Sequence, residues 1–277
     1  MVFRFGYTSL VMCSIDQRPG WLLGKTYALV SIALCSNLRR RNMASPKRKI
    51  ARGVALSDGG FVPLDWSGLS ITEMENNAES LFEQMDSRRT TRHFSTKDVP
   101  RKLIELAILT GSTAPSGAHL QPWTFVAVKN SELKEKMRIA AEVEEEKTYS
   151  ERMPEAWQEV LGPLGTDAVK EHMTDAPWLV VLFRQTKRIR SNGEVGPTYY
   201  STESCGIAAG MFIHAIHNMG LVTLTHTPSP MGFLREILQR PAHEHAMLVM
   251  PVGYPADDAM VPDLSRKSLD DIAVFIE

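Results

Sequence analysis

From residue 73 onward the apolar positions fall into two rhythms, a helical one and an extended one, and their order predicts a mixed set of elements. Residues 75–86 carry Leu81, Phe82 and Met85 at helical spacing. Pro100 stands where its fixed φ suits the start of a helix over 102–111. Trp123–Val128 is a short β-rich run. Ser131 is positioned to cap a long charged helix reaching about residue 152, with Glu132 and Lys134 in its first turn. Residues 178–183 are continuously apolar and β-branched in the middle, the mark of a strand buried on both faces. Residues 199–219 are apolar on nearly every side and predict a helix buried all round, the spine of the domain. A strand over 221–225, a short helix over 231–240 and a strand over 246–252 follow, the last ending in the turn Gly253-Tyr254-Pro255. Few crossover units accompany so many helices. The pattern therefore predicts an α+β fold, with helices packed around one mixed central sheet, rather than a doubly wound parallel sheet.

The first 72 residues have a different character. Residues 21–35 are largely apolar and are followed by Arg39, Arg40, Arg41, Lys47, Arg48 and Lys49. An apolar run with a basic flank is the pattern of a membrane anchor or an organelle presequence. It is shorter than the about 20 apolar residues of a full span, and Lys25 interrupts it. Residues 51–72 mix Gly59, Gly60 and Pro63 with polar residues and read as a linker. The expected organisation is an N-terminal segment over 1–50, a linker over 51–72 and a catalytic domain over 73–277.

Charge narrows the function only slightly. Thirty-one basic and 32 acidic residues leave a net charge of −1, so no global field draws nucleic acid. The three cysteines, Cys13, Cys35 and Cys205, are far apart and form no CxxC pair, which argues against a disulfide framework or a zinc site. Cys205 reads as a small core residue. His226, His243 and His245 lack a carboxylate–histidine spacing, so no metal site is expected.

Candidate chemistry gathers in a few runs. Arg88-Arg89-Thr90-Thr91-Arg92 offers three guanidiniums and two hydroxyls within five positions, which suits a phosphate monoester, and Arg266 is a candidate to close on it. Thr113 to His119 form a small-residue turn in which Ser116, Gly117 and Ala118 can bring backbone N–H groups to a flat ligand. With no glycine-rich dinucleotide loop, a phosphate site beside a planar site points to flavin mononucleotide. Thr225 and Thr227 flank His226 at a strand end, where a hydroxyl could tune a flavin ring. Glu145 and Tyr149 stand at i and i+4, and Lys170 follows. An acid, a phenol and a lysine can grip an amino-acid zwitterion, although the same residues also suit a solvated helix with ordinary ion pairs.

Taken in order, Arg88 to Arg92, Thr113 to His119, Pro122 to Phe125, Tyr199-Tyr200, Gly220 to Thr223, Thr227-Pro228, Arg240 to Glu244, Pro251 to Pro255 and Val261 to Leu264 resemble the iodotyrosine deiodinases of the nitroreductase superfamily, over roughly residues 75–277. The resemblance implies a nitroreductase-like fold, an intertwined homodimer with FMN at the subunit interface, and electrons from NADPH through a separate reductase. Arg88, Arg89, Thr90 and Arg92, with Thr91 inside the run, match the flavin-phosphate segment, and Arg266 the arginine that closes it. Ser116 and Gly117 match flavin contacts, and Ala118 the residue whose N–H holds the substrate phenolate. Thr225 to Thr227 match the segment beside the ring, Thr227 being the donor to flavin N5 that favours one-electron steps. Glu145, Tyr149 and Lys170 match the lid trio on the zwitterion, which general nitroreductases lack. His226 departs from this pattern by standing where a hydroxyl residue is expected, and Ser229 to Gly232 form a segment one residue shorter. The implied activity is FMN-dependent reductive deiodination of mono- and diiodotyrosine, with membrane association through the N-terminal segment. The alternatives are an NAD(P)H-dependent nitro- or quinone reductase and a non-catalytic flavin or halotyrosine carrier.

Overall fold

A computed structural model describes residues 64–277; residues 1–50 and the linker up to residue 63 lie outside the described part. Helix α1 (Ile71–Asp86) begins four residues before the predicted start, because Ser70 closes a capping box with Glu73. Helix α2 (Arg101–Gly111) follows Pro100, which occupies its N-cap. Strand β1 (Trp123–Val128) leads into α3 (Ser131–Lys147). Its cap is Asn130 rather than Ser131, for the Asn130 carboxamide oxygen accepts the Leu133 N–H at 2.8 Å. The helix is shorter than its charge pattern suggests: a π-helical turn, Thr148–Arg152, replaces its predicted last turn. A segment with short helix α4 (Glu155–Leu161) and one-turn α5 (His172–Asp175) then reaches β2 (Trp178–Gln185).

Beyond β2 lie a hairpin of β3 (Lys187–Ile189) and β4 (Val195–Pro197), which the apolar pattern does not announce, and α6 (Ser201–Asn218). Strand β5 (Val222–Thr223), helix α7 (Gly232–Ile237), strand β6 (Glu244–Gly253) and the single turn α8 (Leu269–Ile272) complete the order.

The main sheet runs β1-β2-β6-β5. Its named strands pair antiparallel throughout, with Val128 opposite Leu179 and Trp178 opposite Val252. Among the described residues the parallel component of the expected mixed sheet is a single bridge, Thr90 to Thr223. The helical segment between β1 and β2 returns the chain at the end where β1 finished, so no crossover is needed. Strand β2 has both neighbours, and its alternate side chains serve two cores. Val180 and Leu182 join Ile104, Ala107, Ala208, Phe212 and Ile216 under α2 and α6. Leu179, Val181 and Phe183 join Met137, Ala141 and Leu234 under α3 and α7. Burial on both faces accounts for the unbroken apolar run.

Helix α6 differs from its prediction in one respect. It buries Cys205, Ala208, Ala209, Phe212, Ala215 and Ile216, but Gly206, Ile207 and Gly210 are exposed, so one face rather than all sides is covered within the chain. Cys205 is buried as expected, its Sγ donating to Pro122 O and burial pushing its thiol up to about 11. The end of β6 is tightly set: a Cβ on Gly253 would lie 2.7 Å from Pro177 Cδ and 3.2 Å from Phe94 Cδ1. Gly253→Ala is therefore expected to destabilise the fold by about 1–3 kcal/mol, measured as a lower midpoint in urea unfolding without loss of cooperativity.

Candidate functional site

Two cavities share one arginine. The first, about 310 Å³, is lined by Arg88, Arg89, Thr90 and Arg92 on one side and by Pro262, Ser265 and Arg266 on the other. The run reaches this wall because it is tied to the sheet edge: Thr90 bridges to Thr223, and the Thr91 N–H donates to Thr223 O at 3.4 Å. Arg266 comes from the far end of the chain and locks onto the same segment. Its guanidinium donates to Asp86 Oδ1 at 2.7 Å, Asp86 O at 2.8 Å and Arg88 O at 3.0 Å. Burial lowers the Arg88 pKa, and the neighbouring charges of Arg266 and Arg89 add to that. Cations that crowd together with so few carboxylates make a site for a multiply charged anion. Thr91 faces elsewhere. It is buried and lines a smaller cavity of about 130 Å³ behind the run, with Thr223 and Leu221.

The second cavity, also about 310 Å³, is walled by Arg92, Thr166, Asp167, Lys170 and His172. Of the sequence-predicted trio only Lys170 lines it, and the other two meet Lys170 itself. Lys170 Nζ lies 3.5 Å from Glu145 Oε2 and sits over the Tyr149 ring, 5.6 Å from its centroid. The Tyr149 hydroxyl is 3.0 Å from Thr166 Oγ1, and the Lys170 ammonium also donates to Asp167 O. Glu145 ends α3 just before the π turn that carries Tyr149, and Lys170 precedes α5. A break in one helix therefore supplies two of the three groups. Burial works against the Glu145 carboxylate, but the His226 hydrogen bond and the Lys170 charge outweigh it and hold its pKa below the usual carboxylate value. Burial lowers the Lys170 pKa, with Glu145 opposing.

His226 is the residue that sequence reasoning placed without a side-chain role. Its ring is 8% exposed, and its Nε2 lies 3.0 Å from Glu145 Oε1. Its Nδ1 lies 3.5 Å from His172 Nε2, the two rings meeting edge to face with centroids 5.1 Å apart. Its backbone N–H is taken by Val249 O at 2.9 Å. His172, missed altogether, completes the cluster; its only sequence signal was proximity to Lys170. Thr225 and Thr227, on either side of the buried His226, are both exposed.

Neither cavity is lined by Ser116, Gly117, Ala118, Thr225 or Thr227. The first three lie instead against the start of α6. Gly117 N–H reaches Ser204 Oγ at 3.4 Å, and a Cβ on Gly117 would come within 2.6 Å of Tyr199 O, so only glycine fits. Ala118, His119, Gln121 and Tyr200 all take positive φ, near +50°. Such left-handed non-glycine residues persist where the surroundings over-determine them, commonly at ligand sites.

Residues 85–254 match the nitroreductase family. The chain is 49% identical over 216 residues to an iodotyrosine deiodinase of Haliscomenobacter hydrossis, covering 78% of this chain and 96% of that protein. It is 42% identical to iodotyrosine deiodinase 1 of Homo sapiens, covering 78% and 75% respectively. The chain belongs to the nitroreductase family, among the iodotyrosine deiodinases. A crystal structure of oxidized iodotyrosine deiodinase bound to FMN and 3-iodo-L-tyrosine superposes with a TM-score of 0.61 at 26% identity, over 71% of this chain and 97% of that one. A nitroreductase with bound FMN from Bacteroides fragilis, at 19% identity and a TM-score of 0.54, shares the fold.

Burial lowers the His172 pKa to about 3, with the charges of His226, Lys170 and Arg92 adding to it. The ring is therefore neutral in the folded protein, while in the unfolded chain it titrates near 6.5. Its contribution to stability is complete above pH 6.5 and is lost as pH falls from there toward 3, by up to about 1.4 kcal/mol per pH unit. His226, also lowered by burial, acts in the same direction. Urea unfolding between pH 5 and 7 is expected to show this slope, and His172→Gln to reduce it by up to one proton.

Proposed function

We propose that this chain is an FMN-dependent reductive dehalogenase that converts mono- and diiodotyrosine to tyrosine and iodide. One observation carries the reading: Lys170, which meets Glu145 and the Tyr149 ring, lines a cavity that shares Arg92 with the arginine-lined cavity. An anion clamp beside a zwitterion clamp fits a flavin phosphate and an amino acid held side by side.

The residues present fit FMN: Arg88, Arg89, Arg92 and Arg266 with Thr90 would hold its phosphate, and Ser116, Gly117 and the segment Thr225 to Thr227 would approach its ring. Bound and reduced, FMN supplies the two electrons that replacement of iodine by hydrogen requires. Iodine acidifies the phenol, so the substrate binds as a phenolate, held by the Ala118 N–H. Glu145 takes the substrate ammonium and Lys170 its carboxylate, with Tyr149 closing over them. Fixing the far end of the amino acid positions the carbon–iodine bond, so remote binding lowers the barrier. Closing the lid also removes water and strengthens every charge contact inside. Thr227 would offer its hydroxyl to the bound flavin, whose favoured reduction level responds to such hydrogen bonds. The ring carbon bearing iodine gains a proton, two electrons enter the ring, and iodide departs with the carbon–iodine pair, which restores the aromatic phenol.

The same reading takes the working unit to be a homodimer. Supporting it are the exposed Gly206, Ile207 and Gly210 on α6, the exposed Leu81 and Phe82 on α1, and the exposed Val274, Phe275 and Ile276 at the C-terminus. The separation of Ser116 to Ala118 from both cavities would then be closed by a second copy. NADPH, through a separate reductase, is the donor in this reading. Membrane attachment is assigned to residues 21–35; among the described residues no helix is long and apolar enough to cross a membrane.

Dithionite-reduced, FMN-loaded protein mixed anaerobically with diiodotyrosine should release iodide and tyrosine together. No release while the flavin stays reduced would overturn the proposal, and rapid reduction by NAD(P)H alone would favour a nitro- or quinone reductase. Arg266→Ala should weaken FMN binding by about tenfold or more, the loss of one charge-assisted contact, read by ultrafiltration of free flavin. Glu145→Gln should weaken 3-iodotyrosine binding by a similar factor with FMN retained, read by quenching of flavin fluorescence.

A further inference from the structure

His226 occupies an unusual place for a residue that the proposed chemistry leaves without a side-chain task. Its backbone is pinned to β6 from both directions, His226 N–H to Val249 O and Val249 N–H to His226 O, each at 2.9 Å. The ring is consequently a fixed projection of the sheet. It ends 3.0 Å from Glu145 Oε1, while Lys170 approaches the other oxygen, Oε2, at 3.5 Å. One carboxylate is thus held by the sheet on one side and by the lid on the other.

The sense of the hydrogen bonds follows from charge. Glu145 is ionised and can only accept, so the proton sits on His226 Nε2. His226 Nδ1 is then an acceptor, and neutral His172 fills it with its Nε2–H across 3.5 Å. The result is a one-way chain, His172 to His226 to Glu145, rooted in the core by two buried rings. Arg92, Lys170 and Arg138 are cations acting on this chain, and the first two disfavour a second proton on His226.

We infer that His226 is a positioning residue for the substrate's amino group: by holding Glu145 Oε1 against the sheet, it presents Oε2 to the ammonium of the bound amino acid. The inference rests on the zwitterion-binding reading given above. Without the His226 ring, Glu145 at the end of α3 would be held through Lys170 alone, and that lysine is needed for the substrate carboxylate. A mobile carboxylate would pair with Lys170 and leave the ammonium poorly served.

The test is a double-mutant cycle on FMN-loaded, full-length protein, titrated with 3-iodotyrosine while flavin fluorescence is followed. His226→Leu is expected to weaken binding by roughly tenfold, the scale of one charge-assisted hydrogen bond. His226→Gln, which keeps an N–H donor of nearly the same reach, should restore most of that loss. In the Glu145→Gln background, His226→Leu should add less than about twofold, because the group it positions has lost its charge. FMN should stay bound in all variants, since the ring-side segment is held by its backbone bonds to Val249 and not by the His226 ring, and this separates positioning from damage to the fold. Where leucine is not accommodated beside His172, His226→Asn makes the same comparison with glutamine, since its shorter amide falls short of Glu145. If Glu145→Gln weakens binding and His226→Leu does not, or if the two effects simply add, the positioning role is overturned and the proposed function stands. If Glu145→Gln itself leaves binding unchanged, the zwitterion reading fails and this inference with it.

Discussion

Six consecutive apolar residues, Trp178 to Phe183, can leave water only when packed layers form on both sides of their strand, and the rest of the molecule follows from that requirement. Alternation sends Val180 and Leu182 to one layer and Leu179, Val181 and Phe183 to the other. Helices α2 and α6 cover one side, while α3 and α7 cover the other. Strand β6 pairs along the same strand, and through the Val249 bridge it fixes the segment carrying Thr225, His226 and Thr227. The position of that segment is therefore a consequence of core packing more than of any interaction within it.

Charge is organised on top of this frame by the same logic of limited partners. Lys134 is almost fully buried and is tolerable only because its ammonium donates to Thr174 O at 2.8 Å and Ala176 O at 2.7 Å. These bonds hold the approach to β2 and so the stretch containing Lys170 and His172. At the end of α3, Glu145, Lys170 and His226 share one small volume, each stabilising or opposing the ionisation of the others. A carboxylate held there is costly to strand without a partner, which makes the cluster well suited to exchanging an internal cation for a substrate ammonium. The arginine-lined cavity shows the complementary state, several cations drawn together with Asp86 as the carboxylate bound by Arg266.

Much of this was legible in the chain. The strands at 123–128, 178–183 and 246–252 declared themselves because apolar runs of that length have few other uses. The arginine run suggested an anion site with Arg266 as a candidate partner, and the structure brings Arg266 onto the same segment. Less legible were the elements set by local chemistry rather than periodicity. The β3–β4 hairpin has strands of three residues each with exposed ends, too short to show a period, and the π turn at 148–152 leaves no mark in the pattern of charges. Helix α6 looked uniformly apolar, yet a sequence cannot say which of its faces meets its own chain.

The sequence by itself determined which segments are buried and where the guanidiniums cluster, because hydrophobic period and charge composition are local properties of the chain; the grouping of Glu145, Tyr149 and Lys170 came from the family resemblance. Only the tertiary structure decided that β2 has antiparallel neighbours on both sides, that Thr91 turns away from the arginine cavity, and that His226 meets Glu145 and His172. Those outcomes depend on long-range pairing, in which residues 81 and 54 positions apart in the chain come within hydrogen-bonding distance. Nothing in their local spacing encodes that meeting; it arises because β6 pins the backbone of His226 while α3 and α5 pack above it.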